Sequence, residues 1–454
     1  MTLRRLRRIT RCFAVSLPVL VSMASLQAAN TEIPLANQGF EQGLSEWRVP
    51  EGSQDGAKAV QEAASIGDMG LQIACAAGKA LTVASPAFPV VPGESYSVSC
   101  WVGGSEADPG RVQLDMVFKD ANGASLKPGM AKIRKWPSVT ASGGKFFGSI
   151  VLAAAAPDGA THCQIVIRPT SATGAVCLDD FRVEHLGDAT PVPRNPDGSA
   201  PIPAFDPERL AELKAEIAAN PTRGRPPPKI VVKLDDLRPH NGTVHDRWKK
   251  VAEWAQERGI KISMGIIASG MAADCAAFAD WVQGRHKEGN IEFWNHGWDH
   301  AEWKNAEGKT VREFWGSGYD HQKDHFSKTQ AAAREKLGFA FASFGAPFNA
   351  TDQDTLKVLA EDPDTKAWIY GERGSDSSKK VLERCYEVSI ENPTFVANYA
   401  AFINGYAHNR GAEYFVLQGH PMSWGPDRWE QTNRIVDFLL AAKAEFVHPA
   451  SLAP

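Results

Sequence analysis

The stretch Ile230-Val-Val-Lys-Leu-Asp-Asp-Leu-Arg-Pro239 decides the fold of the larger part of this chain. An apolar β-branched run, Ile230 to Val232, leads into two adjacent carboxylates, Asp235 and Asp236. That is the pattern of a strand buried on both faces whose end carries polar groups. It recurs downstream: Ile291-Glu-Phe-Trp294 leads into Asn295-His-Gly-Trp-Asp-His300, and Val416-Leu-Gln-Gly leads into His420. Between and after these runs the period changes to that of helices. Spacing predicts helices over 246–258, with Trp248, Val251 and Trp254 on one face, and over 275–287, 320–337 and 429–442. Strands are predicted over 230–234, 261–267, 291–294, 341–344, 368–370 and 414–417. Strand and helix in alternation argue for a parallel barrel of βα units, whose functional residues sit just after the strands. Asp235 and Asp236, His296 and His300, Pro347 with Phe348, and His420 all have that placement.

A carboxylate and two imidazoles at neighbouring strand ends are the usual ligand set of a catalytic divalent metal, with a position left for water. His296 and His300 have the i, i+4 spacing that brings two ring nitrogens to one ion. Adjacent side chains alternate along a strand, so one of Asp235 and Asp236 can bind metal while the other takes a proton. The similarly spaced His321 and His325 follow no apolar strand, and we read them as a solvated helix face. His420 enters the same mouth and beside a metal is the natural general acid. The zincin pattern His-Glu-x-x-His, a Gly-x-Ser-x-Gly elbow and a phosphate loop are all absent from the sequence, and Gly374-Ser-Asp-Ser377 is too weak for a serine esterase.

The second half resembles the polysaccharide deacetylases of the NodB-homology class, also called carbohydrate esterase family 4. The family's Thr-Phe-Asp-Asp-Gly stands here as Lys233-Leu-Asp-Asp-Leu237, and its His-[Ser/Thr]-x-x-His as His296-Gly-Trp-Asp-His300. Its Arg-x-Pro-Tyr stands as Gly345-Ala-Pro-Phe348, and its Leu-x-x-His as Leu417-Gln-Gly-His420. The resemblance implies a distorted (β/α) barrel in which Asp235 is the base and His420 the acid. It implies that Asp236, His296 and His300 bind zinc, or cobalt or nickel in its place. The chain departs from the pattern at Lys233 and Leu237, lacks a recognisable Asp-x-x-Asp-Trp element, and has Gly345 where the family has the arginine that orients its base. Arg238 and Arg373 are candidate substitutes. Trp294, Trp298, Trp303 and Trp424 flank the motifs; with Pro347 and Phe348, Trp298 and Trp424 are the expected substrate contacts.

From about 31 to 186 the chain is short alternating runs broken by Gly, Pro, Asp and Ser, with a hairpin turn signal at Asp120-Ala-Asn-Gly123. This reads as a β-sandwich. Its opening Asn37-Gln-Gly-Phe-Glu-Gln-Gly-Leu-Ser-Glu-Trp47 and closing Val176-Cys-Leu-Asp-Asp-Phe-Arg-Val183 resemble the edges of jelly-roll carbohydrate-binding modules. That resemblance implies a structural calcium, with Glu41 and Asp180 as its ligands, and sugar stacking by Trp47, Trp101 or Trp136, although tryptophans in sandwiches are more often core.

The fold class is therefore multidomain, an N-terminal β-sandwich of jelly-roll type plus a C-terminal α/β distorted (β/α) barrel of the NodB-homology type. Residues 1–29 read as a signal peptide, with Arg4, Arg5, Arg7 and Arg8 before the apolar run Phe13 to Ala24 and small residues at Ala28 and Ala29. The sandwich is expected over 30–186, a Pro-rich linker with a short helix near 207–219 over 187–229, and the barrel over 230–454. We expect a secreted or periplasmic protein with no integral membrane segment in its mature form. A net charge of −4 excludes a nucleic-acid-binding composition. Without a Cys-x-x-Cys pair a thiolate zinc site is not expected, and disulfide connectivity is not readable. The reading points to removal of N- or O-linked acetyl groups from an acetylated polysaccharide or oligosaccharide. Two rivals stand beside it: a glycan-binding protein whose barrel has lost catalysis, and a metal-independent barrel glycosidase using Asp235 with Glu372.

Overall fold

The alternating runs of the N-terminal half form antiparallel strands. In Val112–Lys119 the residues Val112, Leu114, Met116 and Phe118 point inward, facing Cys163, Ile165 and Ile167 of His162–Pro169. The computed structural model describes residues 31–51, 54–76, 81–104, 110–126, 132–135, 138–139, 145–186, 205–371 and 377–454. The expected signal over 1–29, the prolines from Pro191 to Pro201, Trp136, Glu372 and Arg373 lie outside the described residues. Two antiparallel sheets form the sandwich. One runs Gly148–Ala155, Ser95–Gly104, Ala175–His185, Gly70–Ala74, Ala57–Val60, with Thr31–Ile33 also paired to Ala175–His185. The other centres on His162–Pro169 and Val112–Lys119. After Lys119 the chain reverses through the predicted turn, where Gly123 takes the left-handed backbone and donates to the Asp120 carbonyl.

The C-terminal half is a parallel, nearly closed barrel. Its sheet runs Lys380–Leu382, Ala367–Ile369, Ser343–Phe344, Ile291–Asn295, Ile262–Ile266, Lys229–Leu237, Tyr414–Gly419, with Glu445–Phe446 also beside Lys229–Leu237. The two edges are stitched by tyrosines: Tyr370 Oη donates to the Val416 carbonyl at 2.8 Å, and Tyr414 Oη accepts from the Glu383 amide at 3.0 Å. Helices α1 (Pro207–Ala219), α2 (Asp246–Glu257), α3 (Ala276–Glu288), α4 (Tyr319–Ala332), α5 (Gln353–Glu361), α6 (Tyr399–Asn409) and α7 (Pro426–Ala441) surround it. On α2, Trp248, Val251 and Trp254 are all buried, as their spacing requires. The helix expected over 320–337 is α4 followed by a π-helical turn, Ala333–Leu337, ended by left-handed Gly338. Helix α5 was not expected, nor was α6. Eight residues of α6 are buried, so it carries no amphipathic stripe to read.

Helix α1 buries Leu213 and Ile217 in the barrel core and packs on α6. Between the halves, His408 of α6 stacks on Trp101 with ring centroids 3.8 Å apart. Trp47 packs between Phe40 and Phe181. The expectation of sugar stacking by Trp47 or Trp101 is thus corrected: one is core and the other is covered by the barrel. The calcium expectation is corrected as well. A bulge between Asp179 and Arg182 turns Asp180 outward, where its carboxylate meets Arg209 at 2.6 Å, His408 Nε2 at 2.9 Å and Arg182 at 3.3 Å. Burial alone would raise this carboxyl, but His408 and the two arginines hold it well below the usual range. Glu41 instead accepts the Asp68 and Met69 amides. Cationic side chains occupy the position where a cation was expected. The six described cysteines are all buried. Among the described residues no helix is long and apolar enough to cross a membrane.

Asp180→Ala strips Arg209 and the buried His408 of their shared partner. Its expected cost is about 3 kcal/mol of stability, read from urea or thermal unfolding, because a buried charge left unpaired is more costly than the pair is favourable.

Candidate active site

Lys229–Leu237 delivers its carboxylates by breaking the strand register. Leu234 pairs with Met264 but Leu237 with Ile266, so a bulge falls at Asp235 and Asp236. Asp236 takes the left-handed backbone (φ 77°), which costs a non-glycine residue about 1–3 kcal/mol. The bulge corrects the expectation from simple alternation: both carboxylates face one mouth. Asp236 Oδ1 lies 3.3 Å from His296 Nε2 and 3.4 Å from His300 Nε2, while Asp235 Oδ2 lies 3.8 Å from His420 Nε2.

Asp235 is buried, and its partner is Lys233. The fully buried ammonium donates to both carboxylate oxygens, at 2.6 and 2.5 Å, and Gln418 Nε2 donates to Oδ2 at 2.6 Å. Burial alone would raise the Asp235 carboxyl; Lys233, then His296 and His420, hold it below its ordinary value. The cation at the Asp235 carboxylate is thus Lys233 of the same strand, whereas the candidate Arg238 is exposed. The Lys233 Nζ sits 5.0 Å from the Trp294 ring and 5.1 Å from the Tyr370 ring. A Cβ at Gly345 would come within 2.8 Å of Trp294, so the ring that cradles the lysine fills the space a side chain at 345 would need.

His296 Nδ1 is 2.7 Å from the Gly345 carbonyl. A carbonyl only accepts, so Nδ1 donates to it, and Nε2 is the ring atom turned toward Asp236 and His300. Asp236 Oδ1 and His296 Nε2 are buried without a hydrogen-bond partner, and with His300 they put three donor atoms within 4.8 Å of one another. Polar atoms left unmatched in this way are costly unless something else binds them, so the donor set fits a divalent cation. Burial would raise the Asp236 carboxyl, but His296 and His300 hold it well below the carboxylate range.

The loop that carries both histidines is held from below by Glu313, which sequence reading missed. Its carboxylate accepts the Trp298 amide at 2.5 Å and the His300 amide at 2.7 Å, and meets His325 Nδ1 at 3.1 Å. Gly297, at φ 78°, passes so close that a Cβ would lie 2.7 Å from the Glu313 carboxylate. This corrects the reading of His321 and His325 as a solvated face. His325 is buried against Glu313, and Asp299, Glu313 and His325 form a second donor cluster directly under the first. Burial would lower the His325 pKa, but Glu313 raises it.

On the opposite side Glu391, also missed, does the same for His420. Its Oε2 takes His420 Nδ1 at 2.6 Å, and its Oε1 accepts the His420 amide at 2.7 Å and the Trp424 indole at 2.9 Å. Burial lowers the His420 pKa, but Glu391 and Asp235 outweigh it and the net shift is upward. Of the expected substrate contacts, Phe348 is exposed with its ring 4.2 Å from His300, and Trp298 is half-buried. Pro347 is buried and Trp424 is a strut under His420. Trp294 is core, Trp303 is exposed, and exposed Trp315, Phe395 and Met422 add apolar surface that no spacing announced.

No family model matches this chain, and no curated protein does. Solved structures match each half separately. The family 4 acetyl xylan esterase from Clostridium thermocellum in complex with a cobalt ion is 17% identical with a TM-score of 0.34, covering 49% of this chain and 89% of that one. BA3943, a family 4 pseudoenzyme from Bacillus anthracis, is 10% identical with a TM-score of 0.32, covering 49% and 63%. TmCBM61 in complex with β-1,4-galactotriose is 18% identical with a TM-score of 0.25, covering 33% and 97%.

Glu313→Gln keeps the shape but leaves one carbonyl oxygen where two amides and His325 now find a carboxylate. The expected loss is about 1–3 kcal/mol of stability, measured by thermal unfolding.

Proposed function

We propose that the C-terminal half hydrolyses acetyl groups, N- or O-linked, from an extracellular glycan, with a divalent metal held by Asp236, His296 and His300. The observation that carries this is the unmatched pair Asp236 Oδ1 and His296 Nε2, buried beside His300 Nε2 and next to a separate base and acid. One carboxylate oxygen and two imidazole nitrogens suit zinc, with cobalt or nickel as alternatives. Bound there, the ion would polarise the acetyl carbonyl and make water acidic enough to attack near neutral pH.

The chain's own groups supply the proton transfers. Asp235, kept ionised by Lys233 and aimed by Gln418, takes the proton of the attacking water. His420, protonated on Nε2 because Glu391 stabilises its cation through Nδ1, gives a proton to the departing amine or alkoxide. Phe348 beside His300 and Phe395 beside His420 (ring centroids 4.4 Å apart) wall the mouth with apolar surface suited to pyranose faces. The buried Lys233 also weakens the case for a barrel that has lost catalysis, since the missing arginine was its motive.

Elemental analysis of the purified protein is expected to give about one transition metal per wild-type chain. The His296→Ala/His300→Ala variant should lose it together with acetate release from acetylated glycans. A wild-type protein that takes up none of zinc, cobalt or nickel overturns the proposal.

The pH profile tests the acid. His420 acts protonated, so activity falls as pH rises through its pKa, which Glu391 raises. Glu391→Gln removes that support, and the alkaline limb is expected to move to lower pH with activity reduced about ten- to a hundredfold. An unmoved alkaline limb assigns the acid elsewhere.

A further inference from the structure

Beside Pro421, the residue after His420, lies a cavity of about 390 Å³ that the reaction above does not use. Arg247 and Lys250 of α2 line it together with Pro421, Trp424 and Trp429. Its position follows from the topology. Helix α2 comes next after Lys229–Leu237, and α7 next after Tyr414–Gly419, so both helices start at the barrel face that carries Asp235 and His420. The indole N–H of Trp424 holds Glu391, and the same residue is a wall of the cavity. Arg247 donates to the Met422 carbonyl in the turn that follows His420. The ammonium of Lys250 lies 4.8 Å from the Trp429 ring centroid. Both cations are exposed, and among the described residues neither forms an ion pair; the nearby Asp246 is held by Lys249.

A neutral sugar would use the indole walls and leave the two cations without an anionic partner. A small anion would use the cations and leave the indoles bare. Together they fit a pyranose ring that carries a negative charge: the ring lies on an indole while the fork of Arg247 and the ammonium of Lys250 meet the anion. We propose that this cavity is a subsite for an anionic sugar unit, a uronic acid, in the same glycan chain whose acetyl group is presented to Asp235 and His420. The inference rests on the hydrolase reading for what lies next door and names the class of glycan.

Calorimetric titration of the full-length protein with an oligogalacturonate and with its neutral methyl ester tests it. The acid form is expected to bind wild type about tenfold more tightly than the ester. Arg247→Ala/Lys250→Ala should abolish that preference. Lys250→Ala alone should reduce it several-fold, which separates anion binding from any loosening of the Met422 turn by loss of Arg247. Lys214→Ala, at an exposed position of α1, should keep the preference. Equal affinity for acid and ester, a preference that survives the double variant, or one lost equally in Lys214→Ala overturns the proposal. Tighter binding of a sulfated xylo-oligosaccharide than of the uronate, lost in the same double variant, overturns the uronate assignment in favour of a sulfated unit. Acetate release keeps the two readings apart. Uronate preference without acetate release from any acetylated glycan by the zinc-loaded protein removes the hydrolase alone. Release from neutral glycans without uronate preference removes this subsite alone.

Discussion

Everything at the mouth depends on one buried ion pair, Lys233 with Asp235. A carboxylate sealed in a parallel barrel is too costly to keep ionised without a cation at contact distance, and the lysine on the same strand supplies it. The pair then dictates its surroundings. Trp294 and Tyr370 cover the ammonium with ring faces, and Gly345 has no side chain because Trp294 occupies that space. Gln418 takes a lone pair that Lys233 leaves, so the carboxylate has one orientation.

Around that pair the site is built twice in the same way. A glutamate from a loop reaches under each set of histidines and fixes it through backbone amides, and at His420 through the ring as well. Glu313 holds the loop of His296 and His300, and Glu391 holds His420. Carboxylates that accept from several donors cost little to bury, and they leave the opposite ring nitrogens free for chemistry. The left-handed His300 backbone is held by its amide bond to Glu313.

The sandwich is bound to the barrel by the same kind of interaction at a different place. Asp180, aimed outward by a strand bulge, gathers Arg209 from α1 and His408 from α6, and His408 in turn stacks on Trp101. Asn409 adds amide bonds to the backbone of Phe147, at 2.6 and 3.0 Å. The outer face of one sandwich sheet is thus occupied by the barrel.

Local pattern determined much of this protein. Apolar runs bounded by polar strand ends identified the barrel strands other than Lys380–Leu382 and Glu445–Phe446, and the mouth, because a strand buried on both faces has to be apolar until it leaves the core. The motifs at Asp235, Asp236, His296, His300 and His420 were legible for that reason. Period two also put Lys233 on the same side of its strand as Asp235, a signal present in the sequence but read only as a departure. What tertiary structure alone decided are the partners that come from far along the chain. Glu313 and Glu391 sit on irregular loops, where no period announces them. His325 lies on a helix that looks polar in sequence, yet it is buried against one of those loops. Asp180 looks like a calcium ligand until α1 and α6 arrive beside it with their own positive charges. Periodicity records only which side of an element faces the core, whereas these pairings depend on which elements meet there.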